Sequence, residues 1–85
     1  MSHTYQLNET TVKDKDGIVY TVYGIDAINK KGKIVKSFTK IFYERSRAQA
    51  LVSLCNECEL SIIHLANVVE DALYEQSIAY KKHYG

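Results

Sequence analysis

Two very short glycine-containing turns separate three segments dense in β-branched and aromatic residues, and that spacing leaves few folds open. Residues 5–12 (YQLNETTV), 18–29 (IVYTVYGIDAIN) and 33–43 (KIVKSFTKIFY) read as strands. Between them stand Asp14-Lys15-Asp16-Gly17 and Lys30-Lys31-Gly32. Each glycine can take a left-handed conformation, and the Asp side chains can accept from nearby backbone amides. Connections this short join only antiparallel neighbours, so a three-stranded meander is expected.

The second half of the chain changes period. Ser46-Arg47-Ala48-Gln49 fits a capping box, and Ala48, Leu51, Val52 and Cys55 then recur as one apolar stripe. A helix over residues 47–58 follows. Ser61 is placed to cap a second helix over residues 62–78, whose buried stripe is Ile62, Leu65, Val69, Ala72 and Leu73, broadened by Ile63, Ala66 and Val68. The two- or three-residue gap makes an αα-hairpin. The tail, residues 79–85, is expected to fray. The fold expected is α+β: a β-β-β-α-α chain with the helix pair on one sheet face, forming a single domain over residues 1–85.

The strands conflict with a one-sided sheet. In the second, Ile18, Tyr20, Val22 and Ile28 share one face, while Val19, Tyr23, Ile25 and Ala27 share the other. In the third, Ile34, Phe38 and Phe42 oppose Val35, Ile41 and Tyr43. A sheet with one wet face alternates cleanly, and this one does not. A bulge at Gly24 would carry Ile25 and Ala27 onto the face of Val22 and remove part of the conflict. A second copy of the chain is the economical cover for the rest.

Composition narrows the function classes. At 85 residues and 46% apolar, the chain holds one modest core. No apolar run reaches the roughly 20 residues of a membrane span. No basic-then-apolar leader opens the chain, so a cytoplasmic location is expected. Residues 1–47 carry nine Lys or Arg against five acids, a net +4, whereas residues 48–85 net −3. The plain reading is two solvated faces; the sharper one is a basic half that meets an anionic partner or the acidic half of a second copy.

The residues near Ser61 carry a resemblance. Ser61-Ile62-Ile63-His64-Leu65, followed by Val68-Val69-Glu70-Asp71-Ala72-Leu73, resembles the C-terminal signature of a family of short uncharacterised proteins, a domain of unknown function, from clostridial-type Gram-positive bacteria. That signature is similar to Ser-Pro-Ile-His-Leu, a spacer, an apolar pair and Glu-Asp-apolar-Leu. Tyr23-Gly24-Ile25 is similar to an element of the family's middle strand, and Ser46 stands where the family has Ser or Thr. The likeness spans residues 20–73, and Ile62 replaces the family's proline. It implies the fold and carries no activity.

Chemistry-bearing residues do not assemble into a catalytic set. Cys55-Asn56-Glu57-Cys58 is a CxxC motif, but it falls at a helix end, where the dipole opposes a thiolate. Cys55 lies on the apolar stripe and reads as core. Zinc needs four ligands, and Cys55, Cys58 and His64 supply three. His64 and Asp71 are two helical turns apart, about 10 Å, beyond hydrogen-bond reach. Glu70 and Asp71 diverge by about 100° around the helix. The four glycines form no phosphate loop. No catalytic residue, metal or cofactor is therefore expected.

The expectation is a small non-enzymatic protein-interaction or regulatory module acting as a homodimer in the bacterial cytoplasm. Tyrosine suits a surface that is both apolar and wet, and the chain has seven. Tyr20, Tyr23, Phe38 and Tyr43 are the candidate contact residues. The alternative is nucleic-acid binding through a basic hairpin of Lys30, Lys31, Lys33 and Lys36, with Lys40 and the rings of Phe38 and Phe42 nearby. A net charge of +1 sits poorly with that alternative.

Overall fold

The computed structural model describes the backbone of residues 3–84 and the side chains of residues 3–75. β1 (Thr4–Lys13), β2 (Val19–Ile28) and β3 (Ile34–Phe42) precede α1 (Arg45–Glu57) and α2 (Ile62–Tyr84). The strands form one antiparallel sheet in the order β1-β2-β3. The architecture is the expected α+β meander followed by two helices.

The two turns are the same device used twice. Asp14 Oδ1 accepts from the backbone N–H of Asp16 and Ile18 at 2.8 and 2.9 Å. Asn29 Oδ1 does the same for Lys31 and Lys33 at 2.9 and 3.1 Å. Gly17 and Gly32 then close the turns at φ +83° and +82°, where a side chain would be strained. Asn29, read from sequence as the last residue of the second strand, is instead the residue that organises the second turn.

α1 packs on β1 and β2, and α2 packs on β3. Together they bury one sheet face. Tyr5, Ile25, Ala27, Ile41 and Phe42 from the sheet meet Ala48, Val52 and Cys55 of α1 and Leu65 and Val69 of α2. Leu7, Tyr23, Phe38, Leu51, Ile62, Val68 and Ala72 pack around this centre half-buried. Leu73, expected within the buried stripe, is 42% exposed, and Ile63 and Ala66 are also exposed. One helical face narrower than the sequence stripe suffices, because α2 rests on the sheet along a single line.

Two local expectations are corrected. α1 begins at Arg45 with Glu44 at its cap position, and Glu44 makes no side-chain cap bond. Ser46 already lies inside the first turn, so its hydroxyl cannot close a capping box, and Gln49 Nε2 donates to Ser53 Oγ at 3.4 Å. The irregularity falls at Gly24, but its extra residues lie on β3 rather than on β2. Tyr23 pairs with Phe42 and Ile25 with Phe38, leaving Thr39, Lys40 and Ile41 opposite Gly24 alone, with Lys40 at φ 58°. The β1–β2 register runs unbroken, so Ile25 and Ala27 stay on the helix side, opposite Val22. The helical backbone of α2 extends to Tyr84, and Gly85 lies outside the described residues.

Candidate functional site

The face of the sheet away from the helices is where the unusual features gather. Period-two alternation and the β1–β2 register place Gln6, Asn8, Thr10 and Val12 of β1 there with Tyr20, Val22, Gly24 and Asp26 of β2. Ile28, paired with Thr4 and Ile34, falls there too, so this face has a polar centre between two apolar ends.

At the polar centre, Asp26 is only 5% exposed although no helix covers it. Its carboxylate accepts from the Ser37 hydroxyl, from Asn8 Nδ2 at 2.8 Å and from Gln6 Nε2 at 3.4 Å. Asn8 Nδ2 also donates to the Phe38 carbonyl at 3.2 Å. A buried carboxylate survives only when such donors replace water, and short polar side chains on adjacent strands supply them. Gly24 lies beside this network. A Cβ there would overlap the Phe38 carbonyl oxygen and come within 2.7 Å of Asn8 Oδ1. The bulged β3 therefore crosses β2 at glycine-only distance, and Asn8 Oδ1, which has no hydrogen-bond partner, packs against that glycine.

At one apolar end, Val22 is 5% exposed. Tyr43 follows Phe42, the partner of Tyr23, and so falls beside Val22 by register. The Tyr20 and Tyr43 rings lie 6.4 Å apart at 44°. That separation is within the range of favourable tilted aromatic pairs. Both remain open to solvent, Tyr20 at 39% and Tyr43 at 63%.

The structure thus divides the four tyrosine and phenylalanine residues expected to share a contact surface. Tyr20 and Tyr43 stand together on the bare face. Tyr23 and Phe38 turn to the other side and pack half-buried against the core. Lys36 sits 5.6 Å from the Phe38 ring centroid, so that ring is already engaged by a cation. Lys30, Lys31 and Lys33 are exposed on the Gly32 turn. Lys40 is drawn into the bulge and does not continue a Lys–Phe alternation.

The CxxC stretch has a role that sequence reasoning missed, and it belongs to Asn56. Asn56 Oδ1 accepts from the Tyr5 backbone N–H at 2.8 Å, and Asn56 Nδ2 donates to the Tyr5 carbonyl at 2.9 Å. The side chain acts as a one-residue strand on the outer edge of β1. The Tyr5 hydroxyl donates to the Leu60 carbonyl, so the end of α1 is clamped to β1 from two sides. Nothing in local spacing marks Asn56, because its partner is 51 residues away. Cys55 is buried, and burial together with the neighbouring Cys58 pushes its thiol above the ordinary value. Cys58 is exposed, and both thiols are free. Among the described residues no three His, Cys, Asp or Glu side chains group as metal ligands, so Cys55, Cys58 and His64 do not form a site. Nor is any helix in the described residues long and apolar enough to cross a membrane.

A three-stranded meander with two C-terminal helices, a sealed polar cluster and an open tyrosine pair defines a small α+β domain whose distinctive residues are structural or lie on the surface. The chain belongs to the family described as "Family of unknown function (DUF6514)", which matches residues 1–75. No curated protein and no solved structure matches it.

Proposed function

We propose that this protein is a small non-enzymatic interaction module that works as a homodimer in a bacterial cytoplasm. The observation that carries the reading is the Tyr20–Tyr43 pair beside Val22, on a sheet face that the helices leave uncovered. Paired tyrosines supply rigid apolar area at low entropic cost and keep a hydroxyl for water or a partner. The apolar residues on both strand faces support the same reading in altered form. One side is covered by the helices, and the other keeps apolar residues around Val12, Tyr20, Val22 and Tyr43 and, at its far end, at Ile28 and Ile34. The test is sedimentation over a wide concentration range. The reading expects a species of twice 9.7 kDa at high concentration, and a 9.7 kDa species throughout overturns it.

Nucleic-acid binding through Lys30, Lys31, Lys33 and Lys36 has less support. Phe38, the ring that would stack on a base, packs against the core and is occupied by Lys36. Retardation of an oligonucleotide that weakens steeply with salt would reverse this preference.

A further inference from the structure

The two edges of the sheet are unequal. Alternate residues of an edge strand direct their N–H and C=O groups outward. The Asp14 N–H to Ile18 carbonyl bond that closes the first hairpin fixes which ones. Counting back by twos, the even residues of β1 bond inward to β2, and Tyr5, Leu7, Glu9, Thr11 and Lys13 face outward. The Asn56 clasp on the Tyr5 N–H and carbonyl agrees with this phase. Among the described residues no partner takes the outward groups of Leu7, Glu9 or Thr11. β1 is also ten residues long and pairs with β2 without a register break. β3 is the opposite case. It has two register breaks, a left-handed Lys40, and lysines at 36 and 40, the devices that discourage strand addition. One edge is blunted and the other is left regular.

We infer that β1 is the dimer contact: two copies add β1 to β1, antiparallel about a two-fold axis at Thr11, giving a six-stranded sheet in the order 3-2-1-1-2-3. This rests on the homodimer reading and names its surface. Charge selects the register. Centring on Glu9 sets like charges opposite each other. Centring on Thr11 sets Glu9 of each copy opposite Lys13 of the other, two symmetric ion pairs on adjacent strands, with Thr11 facing its own mate. It also leaves the Asn56 clasp undisturbed, because Tyr5 then falls beyond the paired segment. About six backbone hydrogen bonds form across residues 9–13. On the bare face Val12 of each copy lies beside Thr10 of the other, and Val12 is the β1 partner of Tyr20. The two tyrosine patches then join into one strip across the dimer.

The test uses the full chain and three variants. Thr11→Pro removes an outward N–H that bonds nothing within the monomer, so the fold is kept while strand addition is blocked. It should sediment as a monomer with an unchanged circular dichroism spectrum. Glu9→Lys and Lys13→Glu each set like charges opposite one another and should weaken the dimer roughly tenfold when alone. Mixing the two variants should recover wild-type affinity as a heterodimer. The lysine introduced in one copy then meets the glutamate introduced in the other, and the second ion pair keeps its native residues. A helix or face contact would show no such rescue, and this second arm holds even if the proline variant fails to fold. A wild-type monomer at every concentration overturns both this inference and the homodimer reading. A wild-type dimer that the variants leave intact overturns β1 pairing alone and returns the contact to Tyr20 and Tyr43.

Discussion

Four consecutive residues in the middle of β2 are buried, but the two sides of the strand achieve this differently. Ile25 and Ala27 face the helices and disappear beneath Leu65, Val69, Val52 and Cys55. Gly24 and Asp26 face the other way, where no helix lies, and are sealed by the bulged β3 backbone and by Asn8, Gln6 and Ser37. The first side is closed by apolar area and tolerates adjustment of side-chain shape. The second is closed by close backbone approach and matched hydrogen bonds, which tolerate little. An apolar face is thus not the only way to bury a strand, and a domain of this size can build a sealed layer without a third layer of structure.

The sharpest way to break this contrast is Gly24→Ala. One methyl group would have to displace the Phe38 carbonyl, a backbone atom held by the bulge and by Asn8. A loss of about 3 kcal/mol or more is expected, in the range reserved for overpacking that cannot relax. Urea unfolding measures it. Wild-type stability would mean that β3 moves freely over β2 and that the bare side is not closed.

Asp26→Ala tests the other half of the seal. It strands the Ser37 hydroxyl and one bond of Asn8, and a cost of about 1–3 kcal/mol is expected for donors left without partners. Asp26→Asn keeps the shape and one accepting oxygen and should cost less. If alanine and asparagine were equally harmless, the carboxylate would be incidental to the burial around it.

The helix-covered side answers to pH. Burial, with Cys58 nearby, raises the Cys55 thiol above its ordinary value, and burial also raises the Tyr5 hydroxyl. Both groups hold their proton more tightly folded than unfolded. Their contribution is complete below the unfolded values of 9.0 and 10.0 and is lost as pH climbs through and beyond them. Above about pH 9, wild-type stability should therefore fall more steeply than that of Cys55→Ala. Parallel pH profiles would show that Cys55 is not held in the core. Exposed Cys58 should react with a thiol reagent first, and Cys55 only when the chain opens.

The fold is legible in the sequence because its signals are local. Each turn is written in five residues or fewer, with Asp14 and Gly17 or Asn29 and Gly32, and the α1 stripe of Ala48, Val52 and Cys55 needs only helical spacing. What escapes a sequence reading is non-local. Gly24 marks an irregularity, but a glycine cannot say whether the extra residues lie on its own strand or on the neighbour pressing against it. Asp26 gives no signal of burial, because its donors come from two other strands, Gln6 and Asn8 on β1 and Ser37 on β3. Strand alternation already separates Tyr20 from Tyr23 and Phe38 from Tyr43, and only the cross-strand register shows that Tyr20 and Tyr43 share the uncovered side. Asn56 is overshadowed by its flanking cysteines.

The smallest effect expected compares the two left-handed residues that are not glycine among the described residues, one at a helix end and one in the sheet. Glu59, at φ 50°, ends α1: the Leu60 N–H donates to the Cys55 carbonyl at 3.0 Å and the Glu59 N–H to the Asn56 carbonyl at 3.2 Å. This pattern favours glycine at the left-handed position. Lys40, at φ 58°, occupies the β3 bulge beside Gly24. Glycine at either place relieves about 1 kcal/mol of strain and gives part of it back through the freer unfolded chain. Glu59→Gly should gain about 0.5 kcal/mol, because the helix end is fixed independently by the Asn56 clasp and the Tyr5 hydroxyl. Lys40→Gly should gain less, since glycine there also loosens the backbone that seals Gly24. Thermal unfolding of the two variants decides the order. A larger gain at Lys40 would mean that strain, rather than close packing, dominates the bare side of the sheet.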